Sequence, residues 1–253
     1  MSISERDTMG GLAKGLAVIE SFDAERSRQS ISQVAAISGL DRATARRCLL
    51  TLAHLGYADY DGKFFTLTPR VLRLGAASLA AMPLPQLVQP SIDRLSERIG
   101  ESSSVSILDR GEIVYVARAA QRKVMSIALM PGSRLPAYCT SLGRVLLAAL
   151  PEAGAATILG PGPLPARTGR TLTDPALVLA ELAKVRAQGY AVIDQEVELG
   201  LRSIAVPLHD IHGRTVAALN IGFSARQETG EALAPLYLAT LLQVQAEIRA
   251  LLR

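Results

Sequence analysis

Residues 31–52 read ISQVAAISGLDRATARRCLLTL, and their spacing predicts two helices joined by a tight turn. Ser30 and Asp41 are suitable N-caps for the two helices. Gly39 suits the turn because glycine adopts a positive φ at little cost. Ala35 is small enough to let the second helix approach closely, so the stretch predicts a helix-turn-helix. The inner face of the second helix is expected to comprise Leu40, Ala45, Cys48, Leu49 and Leu52.

The outer face of this second helix is cationic in its N-terminal half, the part of a recognition helix that enters the major groove of DNA. An arginine can donate two hydrogen bonds to guanine O6 and N7, so Arg42 and Arg46 are predicted to read bases. Small hydroxyls at helix starts often contact phosphates. The alternative is that the arginines only keep this surface solvated. The predicted DNA-binding residues are Ser32, Gln33, Arg42, Ala43, Thr44, Arg46, Arg47 and Lys63.

The residues before this motif predict one more helix. Apolar side chains recur at helical spacing over residues 10–22, which indicates a helix with one buried face. That face is expected to comprise Leu12, Leu16, Ile19 and Phe22. Residues 26–29 are polar and are expected to form a loop.

A hairpin follows the motif. Residues 57–68, YADYDGKFFTLT, place two β-prone runs around Asp61 and Gly62, a strong hairpin signal. Lys63 would stand at its tip and reach the DNA as a wing does. Three helices followed by a hairpin predict a winged helix-turn-helix domain at residues 8–68.

Pro69 is predicted to begin a further helix that ends at Pro83 and Pro85, and the sequence pattern changes beyond these prolines. Residues 69–84 are therefore predicted to be a linker helix, and residues 85–253 a second domain. Its other helices are predicted at 86–99, 141–150, 175–188 and from 230 onward. Its strands are predicted at 103–109, 112–119, 123–130, 190–195, 202–208 and 215–223. Helices flanking such strands predict an α+β fold with a mixed, largely antiparallel sheet.

Composition favours a globular protein without a prosthetic group. The chain has 253 residues, a formal net charge of +4 and 49% hydrophobic residues, so it can bury a substantial core. Its two cysteines lie far apart, and its three histidines form no recognisable metal site, so no disulfide, metal or cofactor is predicted. The start, MSISERDT, is unlike a signal peptide, and no apolar run reaches the roughly 20 residues that span a bilayer. A cytoplasmic protein without a membrane partner is expected.

Three stretches of the second half, together with the helix-turn-helix, resemble the IclR family of bacterial regulators. They are PAYCTSLGRVLLA at 136–148, QEVELGLRSIAVPL at 195–208 and AALNIG at 217–222. The sequences of these stretches are similar to those of one branch of the family, whose members regulate catabolism of aromatic acids such as protocatechuate and 4-hydroxybenzoate through the β-ketoadipate route. Ala45 departs from the family pattern, because many relatives carry a larger aliphatic residue there.

The resemblance implies a GAF-like effector-binding domain with a pocket on one face of its sheet. It also implies dimers formed through the DNA-binding half, with a dimer of dimers as a further possibility. The pocket residues that it implies are Ile127, Leu135, Ser141, Leu142, Glu196, Leu201, Ser203, Asn220 and Gly222.

A small carboxylate ligand would need donors and a compensating charge. The candidate arginines are Arg134, Arg144 and Arg202, and Tyr138 is expected to contact an aromatic ring. Two alternatives stay open: Arg144 and Arg202 could instead form ion pairs with Glu196 or Glu198, and Ser141 could simply cap its helix.

These observations predict a transcription regulator that binds an inverted-repeat operator and responds to an aromatic acid or a related metabolite. A small keto acid is the alternative effector. A rival interpretation makes Glu196, Glu198 and Ser203 the acid, base and nucleophile of an enzyme, but no histidine or glycine-rich phosphate loop accompanies them. A DNA-binding protein without a ligand is the other rival, and no catalytic residue is predicted.

Overall fold

The computed structural model describes residues 4, 7–23, 25–121, 129–226 and 229–252, apart from the side chains of residues 77–80. The chain divides into two compact units, with the boundary between Ala81 and Met82. Each unit has a hydrophobic core of its own.

The first unit is mostly helical. Its helices are α1 (Gly10–Glu20), α2 (Ile31–Ser38), α3 (Arg42–His54) and α4 (Leu72–Ala81), the last preceded by a 3-10 turn at Pro69–Val71. Its strands are β1 (Arg28–Gln29), β2 (Ala58–Tyr60) and β3 (Phe65–Leu67). They form an antiparallel sheet in the order β1-β3-β2. The prediction of a loop at residues 26–29 is therefore partly wrong, because the last two of these residues form β1 and pair with β3.

The caps of α2 and α3 are confirmed. Ser30 and Gln33 form a capping box, in which the Ser30 N–H donates to Gln33 Oε1 at 2.8 Å. The Thr44 N–H donates to Asp41 Oδ1 at 2.8 Å. Gly39 has a φ of 69°, the left-handed conformation that ends α2 and turns the chain into α3. Local capping and one glycine thus define this motif.

The core of the first unit lies between α1, α2, α3 and the hairpin. Its buried side chains are Val18, Val34, Ala35, Ala45, Leu49, Leu52, Ala58 and Phe65. The buried face expected for α1 is partly wrong, since Leu12 is 61% and Leu16 46% exposed. Val18 is the α1 side chain that is fully buried, so the N-terminal half of the helix presents an apolar surface to solvent.

The second unit combines helices with a sheet. Its helices are α5 (Pro83–Ile99), α6 (Ser141–Ala148), α7 (Glu152–Leu159), α8 (Pro175–Gln188) and α9 (Gly230–Arg249). Its strands are β4 (Ser102–Asp109), β5 (Glu112–Ala119), β6 (Arg134–Pro136), β7 (Ala191–Asp194), β8 (Leu201–His209) and β9 (Thr215–Ser224). Pro83 begins α5 rather than ending a linker, because a proline at the first helical position lacks only an N–H that has no intrahelical partner.

The described strands of the second unit form a six-stranded sheet in the order β6-β5-β4-β9-β8-β7. Every described pairing is antiparallel, so the antiparallel part of the expected sheet is confirmed and no parallel pair is seen among these strands. The strand expected at 123–130 falls mainly on residues 122–128, outside the described part of the chain.

Both faces of this sheet are covered by helices. One face packs against α5 and α9 through side chains such as Val105, Leu219 and Phe223. The other packs against α6, α7 and α8 through Tyr115, Leu142 and Leu182. Alternation of side chains along each strand supplies both cores. The α6 face is the one that carries polar side chains at its centre, and the cavity described below opens there.

Candidate DNA-binding surface and ligand cavity

The outer face of α3 presents its arginines to solvent, as predicted from the sequence. Arg42, Ala43, Arg46 and Arg47 are all exposed, and Ser32 on α2 is exposed as well. Ala45 and Leu49 are buried on the opposite face and anchor the helix to the core. The resulting surface is cationic, with no acidic residue on α3 itself.

Two predicted contact residues have local structural roles. Thr44 is only 8% exposed, because it belongs to the capped first turn of α3 and faces the interior of the unit. The Gln33 side chain accepts from the backbone of Ser30 in the capping box. Thr44 is therefore largely covered, although it lines the same shallow pocket as the exposed Arg47, and its contact with a phosphate stays a prediction.

The hairpin tip gathers further cationic groups. The Lys63 ammonium lies 5.2 Å from the centre of the Phe64 ring, and the Arg28 guanidinium lies 4.2 Å from it. Arg28 also pairs with Asp61 at 2.6 Å. The Phe64 N–H and Arg28 lower the pKa of Asp61 to about 2, so this carboxylate stays charged and orders the turn. Sequence reasoning missed Arg28, because the pairing of β1 with β3 that brings it to the wing is a non-local contact.

A cavity of about 480 Å³, part of it open to solvent, lies between the sheet and the start of α6. Its lining combines hydroxyl, amide and guanidinium groups with aliphatic side chains. The lining residues are Ser102, Ser104, Tyr115, Arg118, Leu129, Leu135, Thr140, Ser141, Leu142, Val197, Leu201, Ser203, Asn220 and Gly222.

Most residues that the resemblance implied for the pocket do line this cavity. They are Leu135, Ser141, Leu142, Leu201, Ser203, Asn220 and Gly222. Glu196 is a neighbour of the lining residue Val197 rather than part of the lining itself. Tyr138 was expected to contact the ligand, but it does not line the cavity. It is buried, and its hydroxyl donates to the Pro165 carbonyl. Ile127 lies outside the described residues.

The start of α6 meets the sheet through hydroxyl groups. The Ser141 and Ser203 hydroxyl oxygens are 2.8 Å apart. Thr140, rather than Ser141, is the cap of α6, since its hydroxyl accepts from the Gly143 N–H at 3.0 Å. Ser141 is thereby left to contact β8 and the cavity.

The three arginines considered for a ligand carboxylate all have carboxylate partners. Arg134 is exposed and bonds both Glu112 and Asp109 at 2.7 Å. Arg202 bonds Asp194 at 2.6 Å. Since these pairs lie outside the cavity lining, the structure does not bring either arginine to the site.

Arg144 and Glu196 form a buried ion pair, the structural alternative left open by the sequence. Their side chains are 5% and 9% exposed, and the atoms Nη2 and Oε2 are 2.7 Å apart. The Leu172 N–H donates to the same oxygen, and Arg144 Nε donates to the Tyr138 carbonyl. Burial raises the pKa of Glu196, while the charge of Arg144 and the Leu172 N–H oppose that rise. The pair therefore joins α6 to the loop that carries Val197.

The arginine that does line the cavity is Arg118, on β5. Its Nη1 donates to Ser104 Oγ at 3.0 Å. Strict alternation from Tyr115 would place Arg118 on the opposite face of the sheet. A bulge prevents this, since Ser106 pairs with Tyr115 and Val105 with Ala117, which leaves one extra residue on β5. No local sequence signal marks this bulge, which is why sequence reasoning missed the residue.

Two of the three residues proposed for the enzyme interpretation, Ser203 and Glu196, are engaged in structural contacts. Ser203 is bonded to Ser141, and Glu196 to Arg144. Among the described residues, no cluster of three or more His, Cys, Asp or Glu side chains is arranged to hold a metal ion. The described helices include none that is long and apolar enough to cross a membrane.

Comparison with known proteins matches both units to family models. Residues 11–62 match the IclR helix-turn-helix domain, and residues 76–249 match the C-terminal domain of bacterial transcriptional regulator IclR. The chain belongs to the IclR family. The resemblance of the three C-terminal stretches is thus confirmed, and this IclR-family chain is a DNA-binding transcriptional regulator by membership.

Individual relatives of this IclR-family chain belong to the aromatic-acid branch. It is 44% identical to the Pca regulon regulatory protein of Pseudomonas putida, over 96% of this chain and 84% of that protein. It is 39% identical to the p-hydroxybenzoate hydroxylase transcriptional activator of Acinetobacter baylyi, over 86% of this chain and 82% of that protein. A solved IclR homologue from Microbacterium hydrocarbonoxydans, in complex with 4-hydroxybenzoate, superposes with a TM-score of 0.73 at 25% identity, covering 95% and 99% of the two chains.

Proposed function

We propose that this IclR-family chain controls transcription of an aromatic-acid catabolic pathway in response to a small aromatic carboxylate. The observation that supports this most is the cavity beside α6, whose lining combines aliphatic side chains with hydroxyl groups. Apolar groups suit the faces of a ring, and hydroxyls suit its polar substituents. The 4-hydroxybenzoate bound to a structural relative supports the same class of ligand.

The DNA-binding form is proposed to be a homodimer on an inverted-repeat operator. Leu12 and Leu16 are exposed on α1, and a Cβ added at Gly11 or Gly15 would meet no other atom within 4 Å. A solvent-exposed apolar surface next to small residues suits contact with a second copy. A twofold dimer would place two α3 helices in successive major grooves.

Arg46→Ala is expected to remove most of the preference of the protein for its operator. The operator is first selected from random-sequence DNA, and the affinities for operator and unrelated DNA are then compared by a binding titration. Losing a bidentate contact to guanine costs about 1–3 kcal/mol of discrimination, whereas effector affinity should not change. Arg98→Ala is the matched control, because Arg98 is an exposed arginine on α5, in the second unit. Unchanged discrimination by the Arg46 variant would refute base reading by this residue.

Ligand binding is tested by thermal unfolding of the purified chain with protocatechuate, 4-hydroxybenzoate, β-ketoadipate, pyruvate or glyoxylate. A ligand present at about 100 times its Kd should stabilise the folded chain by about 2.7 kcal/mol, a clear rise in Tm. We expect the shift with an aromatic acid. A shift with pyruvate or glyoxylate alone would replace the aromatic effector by a keto acid, and no shift with any of them would refute the proposed ligand class.

A further inference from the structure

Arg118 differs in its charge balance from the three arginines that the sequence suggested for the ligand carboxylate. Arg134, Arg144 and Arg202 each have a carboxylate within 2.7 Å. Among the described residues, no carboxylate lies within 4.0 Å of the Arg118 guanidinium, so Arg118 forms no ion pair with them. Its side-chain hydrogen-bond partner is the Ser104 hydroxyl. The cavity therefore contains a cation whose charge no described side chain neutralises.

The position of Arg118 makes this charge costly. It is half-buried on β5, and burial lowers its pKa because the charged form loses solvation. An arginine does not lose its proton under ordinary conditions, so the guanidinium remains charged. A bound carboxylate would restore charge neutrality and accept two parallel hydrogen bonds from its fork.

The register of the sheet sets the distance between this cation and the other polar groups. Arg118 pairs with Ser104, and Ser104 pairs with Asn220, so these side chains form one row across β5, β4 and β9. The next row on the same face is Ser102, Gly222 and Ser203. Gly222 leaves the middle of that row without a side chain. Ser104 lies on β4 and Ser203 on β8, and these strands are two strand spacings apart, about 10 Å.

A single benzene ring with polar groups at both ends fits this arrangement. The Arg118–Ser104 bond marks one end, and the Ser141–Ser203 bond marks the other. The rest of the lining includes the aliphatic side chains of Leu129, Leu135, Leu142, Val197 and Leu201, together with Tyr115, Thr140 and Asn220. We propose that Arg118 binds the carboxylate of the effector, and that the Ser141–Ser203 pair binds a hydroxyl on the opposite side of the ring. This assignment rests on the proposed function and specifies its ligand as a para-hydroxylated aromatic acid.

The test compares an acid with its neutral amide on full-length protein. Arg118→Gln is expected to weaken 4-hydroxybenzoate binding about 10- to 100-fold, the loss of a hydrogen bond to a charged group, measured by calorimetry. The same variant should bind 4-hydroxybenzamide within about threefold of the wild type, since no charge is then lost. Arg118→Lys should fall between the wild type and Arg118→Gln for the acid. Arg98→Gln, an exposed α5 arginine, is the control.

The other end of the ligand is tested by Ser203→Ala. This variant is expected to weaken 4-hydroxybenzoate about 3- to 10-fold while leaving benzoate unchanged, because only the hydroxylated acid loses a partner. If Ser203→Ala weakened the binding of benzoate and of 4-hydroxybenzoate equally, the proposed orientation would be overturned.

Three outcomes separate this assignment from the proposed function. If the wild type binds 4-hydroxybenzoate and Arg118→Gln binds it equally, Arg118 is not the carboxylate partner and the proposed function stands. An equal loss for acid and amide would also overturn the assignment, since it would indicate a change of shape rather than of charge. If the wild type binds none of the aromatic acids, both the aromatic effector and this orientation are refuted.

Discussion

Gly143→Ala is expected to lower the free energy of unfolding of the second unit by at least about 3 kcal/mol. Gly143 lies in the first turn of α6, where a Cβ would lie closer than 3.0 Å to the backbone of Ala137 and to Thr140 Oγ1. Neither neighbour can yield easily, because Ala137 is in the preceding buried turn and Thr140 caps the helix. The start of α6 and the preceding turn must therefore move apart. Urea unfolding followed by circular dichroism measures the loss.

Gly154→Ala is the matched control for this prediction. Gly154 lies in α7, and the nearest atom to an added Cβ is 4.0 Å away, in ordinary contact. Alanine is the better helix former, so this variant should be neutral or up to about 1 kcal/mol more stable. Equal stability of the two variants would show that α6 tolerates a side chain where the geometry leaves no room. Because Ser141 and Leu142 line the cavity, Gly143→Ala should also weaken effector binding.

Arg144→Met is expected to destabilise the second unit by about 3–5 kcal/mol at neutral pH, because it leaves the Glu196 carboxylate buried without its counter-charge. The Leu172 N–H alone would remain on that oxygen. Arg134→Met is the control, since its ion pairs are exposed and each such pair contributes at most about 1 kcal/mol. Both variants are measured by urea unfolding.

The pH dependence identifies the cause of this loss. Without Arg144, burial raises the pKa of Glu196 further above its unfolded value, so the folded state prefers the protonated acid. The loss should therefore be full above the folded pKa of Glu196 and should shrink as the pH falls through that pKa. The double variant Arg144→Met, Glu196→Met should recover most of the stability, because two apolar groups replace two charges. A loss that is independent of pH would point to packing instead.

The sequence predicts those parts of this fold that local chemistry determines. Ser30, Asp41 and Gly39 act within a few residues of their own positions, and the motif that they define appears as expected. The hairpin follows from Asp61 and Gly62 in the same way. The exposure of Leu12 and Leu16 was not predictable, since apolar spacing does not distinguish a face buried in the chain from one left for a partner.

The cavity depends on contacts between distant parts of the chain. The three C-terminal stretches identify the family and most of the lining residues. They do not show which side chains contact one another. Arg144 meets Glu196 across 52 positions, and Arg118 reaches the cavity because of a bulge opposite β4. Of the alternatives left open, the structure favours the ion pair for Arg144 and a contact with Ser203 for Ser141. Helix α7 lacks a clear apolar stripe and a capping side chain, so no helix was predicted there.

The serine side chains that line the cavity from the sheet, here called the cavity floor, have a practical consequence for engineering. Ser102 and Ser104 line the cavity from β4, whose pairing is made by the backbone, whereas Ser103, between them in the sequence, donates to the Ile92 carbonyl on the other side of the sheet. Side chains on the cavity side can therefore be exchanged without altering strand register. These floor positions, rather than the surrounding core, are where the ligand range of a biosensor built on this chain can be broadened or redirected.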